Sequence, residues 1–138
     1  MKDSVLIVGN DSTGRSASET LLRIHGRHVL SAPSAATACD ILSCEGAAVV
    51  VLDLTFPDTK GFEVLRRLRG RFETRVLPTQ PRVVVLADWT ESAIERLAVG
   101  LGADAFLRKP VATRDLVSVV EQFLPAMDEA PAALAVNA

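Results

Sequence analysis

Short apolar runs alternate along the chain with stretches in which apolar residues recur every three or four positions. Val5 to Val8 is an apolar run closed by Gly9-Asn10-Asp11, a pattern that predicts a buried strand and its turn. Asp11 or Ser12 can cap the helix that follows, with Ala17, Leu21 and Ile24 on one inward stripe and Gly26 suited to a left-handed exit. His28 to Ala32 predicts a weaker strand near a sheet edge. Ser34 then caps a second helix with Ala38, Ile41 and Leu42 inward, ending near Gly46. Ala47 to Leu52 is fully apolar and ends on a single carboxylate, Asp53. The proline turn Phe56-Pro57-Asp58 and Gly61 lead into a helix packed through Phe62, Leu65 and Leu68.

Periodicity lapses from Phe72 to Pro81, where Pro78 and Pro81 mark a connecting loop. Arg82 to Ala87 resumes as a fourth buried strand. Ser92-x-x-Glu95 has the form of a capping box, and Ile94, Leu97, Ala98 and Leu101 repeat at helical spacing before Gly102. Ala105 to Leu107 predicts a short fifth strand running into Arg108-Lys109-Pro110. Thr113 is placed to cap a last helix with Leu116, Val119, Val120 and Phe123 inward. Five strands alternating with five helices, joined by right-handed crossovers, predict an α/β three-layer sandwich. A five-stranded parallel sheet in the flavodoxin-like order 2-1-3-4-5 suits a chain of this size. That order gathers Gly9-Asn10-Asp11, Asp53, Ala87-Asp88 and Lys109 at the carboxyl ends of the strands.

Composition narrows the function classes. The 138 residues suit one domain, and 49% hydrophobic residues with only 4% aromatics imply a core of Val, Leu, Ala and Ile. Fifteen basic against seventeen acidic residues leave a net charge of −2, which favours neither nucleic acid nor membrane as a partner. No apolar stretch approaches the ~20 residues of a membrane span. The start turns polar too soon for a signal peptide, so the expected location is cytoplasmic. Cys39 and Cys44 make neither a disulfide framework nor a zinc site, and both thiols are expected to be packed. Arg66, Arg67, Arg69, Arg71 and Arg75 form a basic run that reads as a solvated face, with Phe72 the only aromatic beside it to stack on bases. His25 and His28 have no ligand residues at metal spacing.

Asp53 is the candidate for chemistry, because open α/β sheets place their sites beyond the carboxyl ends of their strands. A turn-capping role is the bland alternative. Asp53-Leu54-Thr55 also echoes the nucleophile motif of haloacid-dehalogenase-type phosphatases. Those enzymes need a second aspartate two residues on as general acid; Thr55 stands there, and the chain has no room for a cap, so this enzyme reading is excluded.

Three segments carry a more specific likeness: LDLTFPDTKGFEVLRRLR, LGADAFLRKP, and the acidic turn near residue ten. In this order, and over Val5 to Leu124, they resemble the receiver domain of two-component response regulators. The resemblance implies a receiver over residues 1–124, with 125–138 as a C-terminal tail or the start of a linker. It implies that Asp53 occupies the phosphoacceptor position served by a histidine kinase, that Lys109 contacts the phosphoryl group, and that the Lys109-Pro110 peptide is cis. Phe106 matches the aromatic whose rotamer reports activation. The chemistry agrees: a carboxylate is a competent nucleophile for phosphoryl transfer, and a lysine offsets charge on the phosphoryl oxygens.

The departures from that family bear on mechanism. Its adjacent Mg²⁺-binding acids read here as Gly9-Asn10, or Asn10-Asp11 if the register slips by one. Candidate metal ligands are thus Asp53, Asn10, Asp11 and the Thr55 backbone, a poor set for a cation that favours carboxylates in strict octahedral geometry. The hydroxyl that ends strand four in the family is replaced by Ala87, and Asp88 follows it. Phosphorylation is therefore expected to be weak or absent, with no cofactor or a weakly bound Mg²⁺. The reading is a non-enzymatic signalling module with a degenerate site, acting mainly through protein contacts; the alternative is a working phosphoacceptor that uses Asp11 or Asp88 for the metal. Its expected partner is a protein, or a second copy of the chain, on the face made by the fourth helix, fifth strand and fifth helix around Phe106, with Arg96 and Arg108 as contacts. Trp89 either covers the strand-four loop or adds to such a contact.

Overall fold

Uninterrupted apolar runs need cover on both faces, and the fold supplies it. In a computed structural model describing residues 4–9, 12–54, 61–69, 81–88 and 92–124, the runs form β1 (Val5–Val8), β2 (Val29–Ala32), β3 (Val49–Leu54), β4 (Arg82–Ala87) and β5 (Ala105–Arg108). All pairings are parallel, in the order β2-β1-β3-β4-β5. Between the strands lie α1 (Ser12–Ile24), α2 (Ala35–Cys44), α3 (Gly61–Arg69) and α4 (Ser92–Gly100), with α5 (Thr113–Gln122) last. This is the five-stranded flavodoxin-like α/β sandwich expected from the sequence. The weak second run lies at a sheet edge, also as expected.

Strand alternation sorts the core into two halves. Leu6, Val8, Val50, Leu52, Leu54, Val83, Val85 and Ala87 pack with Ala38 and Leu42 of α2, Phe62, Leu65 and Leu68 of α3, and Ala98 of α4. Val5, Ile7, Val49, Val51, Val84 and Leu86 face the other way, against Leu22 of α1 and Leu116, Val120 and Leu124 at α5. Fully burying each such Val or Leu contributes roughly 1.5–3 kcal/mol, so the three central strands hold the sheet rigid under the site.

Ser34 caps α2, its hydroxyl accepting from Thr37 N–H at 3.2 Å. Gly26, at φ 84°, provides the left-handed exit from α1. Two charged contacts fasten α5. Arg27, with a side chain only 4% exposed, is paired with Glu121, its Nε donating to Oε2 at 2.7 Å. Arg82 lies over the Phe123 ring, 5.7 Å from its centroid, and bonds Asp104 at 3.2 Å. Asp104 in turn accepts from Val83 N–H at 2.8 Å.

Several local expectations are corrected. The inward face of α1 is centred on fully buried Leu22; Ala17 is exposed and Ile24 is 75% exposed. The helix is turned about one residue from the predicted stripe, and Leu21 lies at the flank of the buried face. In α4 the face is centred on Ala98, which leaves Leu97 44% exposed. The Glu95 carboxylate does not turn back to Ser92 as a capping box would; it reaches Arg108, while Ser92 Oγ accepts from Arg96. The cap of α5 is Ala112, without a side-chain bond, and Thr113 is the first helical residue. Cys44 is exposed and Cys39 half-buried, so neither thiol is sealed in the core; both are free. Of the basic run, Arg66 and Arg67 are exposed as anticipated and each is paired with Glu63, while Arg71 and Arg75 lie outside the described residues.

Candidate functional site

Register brings the site residues to one end of the sheet. Asp53 pairs along the backbone with Leu86, Leu54 with Ala87, Val85 with Phe106, and Ala87 with Arg108. Gly9 follows the Val8–Leu52 pair, and its N–H donates to Ala32 O at 3.1 Å. Past β5, Lys109 N–H donates to Ala87 O at 2.7 Å, which ties the lysine's backbone to the end of β4. The Lys109-Pro110 peptide is cis, matching the resemblance.

At this end Asp53 is 4% exposed and forms an ion pair with the Lys109 ammonium, whose side chain is 24% exposed. Burying a carboxylate this deeply is costly unless a cation lies at hand, and taking that cation away leaves the acid without its partner. Ala87 is fully buried and offers a methyl group. Asp88, just beyond it, is exposed. Phe106 packs against the core half that contains Ala87 and Ala98, and the Arg108 guanidinium lies over its ring, 5.6 Å from the centroid.

The residues read as metal ligands are only partly placed. Asn10, Asp11 and Thr55 lie outside the described residues, as does Trp89. Gly9 brings no side chain, and among the described residues no three His, Cys, Asp or Glu side chains are grouped to hold a metal ion. Of the candidate ligands, the described residues supply Asp53, already paired with an ammonium, and the exposed Asp88, which by themselves do not compose a Mg²⁺ site.

Two contacts were not read from the chain. Arg27 and Glu121 are 94 positions apart, and neither stands in a motif. Glu95 was read as a helix cap, although Phe106 and Arg108, two apart on a strand, share a face that an acid on α4 could reach.

A family-wide comparison matches residues 5–121 to the response regulator receiver domain. The chain belongs to that family, whose members are non-catalytic signalling modules. It is 30% identical over 121 residues to the transcriptional regulatory protein GltR of Pseudomonas aeruginosa, covering 88% of this chain and 48% of GltR. It is 28% identical over 129 residues to the probable transcriptional regulator ycf27 of Porphyridium aerugineum, covering 94% and 51%. The chain thus spans about half the length of these curated relatives. Among solved structures, a signal receiver domain from Bermanella marisrubri superposes with a TM-score of 0.77 at 28% identity, over 89% of this chain and 98% of that one. A receiver domain protein from Clostridium thermocellum gives 0.72 at 27% identity, over 87% and 92%. The face of α4, β5 and α5, typical of receiver partner and dimer contacts, is present. Among the described residues no helix is long and apolar enough to cross a membrane.

Proposed function

We propose that the chain is the signal-receiving module of a phosphorelay and that Asp53 is its phosphoacceptor, supplied by a histidine kinase. The observation that supports this is the buried Asp53 carboxylate, paired with Lys109 where the strand ends of a receiver fold converge. A carboxylate oxygen attacks the phosphorus of the phosphohistidine, the P–N bond breaks, and its electron pair returns to the imidazole, which takes a proton from solvent. The product is an acyl phosphate on Asp53. It adds charge to a site with little water, and the Lys109 ammonium, already within reach, shifts onto the phosphoryl oxygens. Readout then passes to the α4–β5–α5 face, where exposed Arg96 and Arg108 meet a protein partner or a second copy.

A second reading has its own observation. Gly9 and Ala87 offer neither a ligand nor a hydroxyl, which favours a degenerate receiver whose partner face works without phosphate. Losing one hydrogen bond to a charged group removes ~1.5–3 kcal/mol of coupling between site and surface.

Intact mass after incubation with acetyl phosphate, with and without Mg²⁺, separates the two. A gain of one phosphoryl group in wild type and none in Asp53→Ala supports the phosphoacceptor. No gain under any condition, with self-association equal in wild type and Asp53→Ala, overturns it in favour of the second reading.

A further inference from the structure

The aromatic of β5 is held by more than the core. On a strand, residues two apart share a face, so Arg108 follows Phe106 on the side covered by α4. Its guanidinium lies over the Phe106 ring at 5.6 Å from the centroid, and its Nη2 meets Glu95 Oε1 on α4 at 3.4 Å. The ring itself packs against the core half that contains Ala87 and Ala98. The Phe106 ring is thus enclosed between the apolar core and a cation tethered to the neighbouring helix. Ala87, in register with Arg108, is fully buried and presents only a methyl at the end of β4.

We infer that Glu95 and Arg108 form a latch that holds the Phe106 ring against the core and fixes α4 to β5, so that this face keeps one arrangement until the latch opens. The inference deepens the receiver reading by naming what regulates its output face, and it does not depend on whether Asp53 takes up phosphate. Both latch side chains are substantially exposed, at 40% for Arg108 and 50% for Glu95. Each contact is modest, but an exposed cation–π contact and a surface ion pair acting together favour the held position of the ring by on the order of tenfold. Exposure also makes the latch sensitive to ionic strength, because screening acts on such pairs and spares the buried core. A partner bearing carboxylates opens it by the same chemistry, by competing with Glu95 for Arg108.

The test is ¹⁹F NMR of protein in which the five phenylalanines carry fluorine, with the Phe106 resonance assigned by Phe106→Leu. No phosphodonor is present. The expected wild-type signal is a single line that Glu95→Gln and Arg108→Gln each move or broaden in the same way. The double variant goes no further than Arg108→Gln alone, and high salt carries wild type toward the variants. The remaining resonances stay in place, showing the fold intact. A Phe106 line identical in wild type and both variants, or effects of the two substitutions that simply add, overturns the latch. Either outcome leaves the Asp53 reading standing, because that reading is decided by mass on a separate sample.

Discussion

The Asp53 carboxylate and the Lys109 ammonium form an unequal pair, the acid sealed at 4% exposure and the base half-buried at 24%. Removing the base leaves a buried carboxylate without its partner, which costs about 3–5 kcal/mol. Removing the acid leaves an ammonium that can turn outward and recover its hydration. Lys109→Ala is therefore expected to lower the urea midpoint further than Asp53→Asn. Equal midpoints, or the reverse order, contradict the geometry.

Glu121 carries a second charge relationship, at the far end of α5. Its hydrogen bonds from Arg27 hold its carboxyl below the ordinary value of 4.5, against the opposing effect of its partial burial. A carboxylate depressed in the folded state adds stability that is fully present above its unfolded pKa and is lost as pH falls through the folded one. Stability should thus decline below about pH 4.5, with a component absent from Glu121→Gln. Denaturation curves across that window read it directly. A wild-type and variant difference that does not change with pH would show that the pair does not titrate with folding.

Ala87 predicts a gain rather than a loss. Ala87→Ser introduces a hydroxyl at a fully buried strand end, which costs about 1–3 kcal/mol while it is unmet. A phosphoryl mimic on Asp53 gives that hydroxyl an acceptor, worth ~1.5–3 kcal/mol. Beryllofluoride with Mg²⁺ should then raise the melting temperature of Ala87→Ser more than that of wild type. An equal rise in both would place Ala87 outside the reach of the group on Asp53.

The element order and the convergence of Asp53, Ala87 and Lys109 were legible in the chain, because buried parallel strands announce themselves as apolar runs and the flavodoxin-like strand order suits five such units in a chain of this size. What was not legible is rotational. In α1 Leu21, Leu22 and Ile24 crowd one end of the helix, and in α4 apolar residues ring more than half of it, so spacing alone admits more than one inward face. The choice falls to packing, which selected Leu22 over Ile24 and Ala98 over Leu97. Charged contacts between distant segments, such as Arg27 with Glu121, leave no periodic trace at all.

That choice of face is itself testable. Leu22→Ala should cost ~2–5 kcal/mol through the cavity it leaves, whereas Ile24→Ala should fall within ~0.5 kcal/mol of wild type. Comparable losses from the two substitutions would return α1 to the face that its spacing suggested.

The most direct test of the phosphoacceptor is chemical trapping at the residue. Borohydride reduces an aspartyl phosphate to homoserine, and peptide mapping after treatment with a phosphodonor locates the reduced position. Homoserine at position 53 of the wild-type protein, and at no other aspartate, is the predicted result. Full donor exposure with residue 53 recovered as unmodified aspartate, or homoserine found at Asp88 instead, would contradict it.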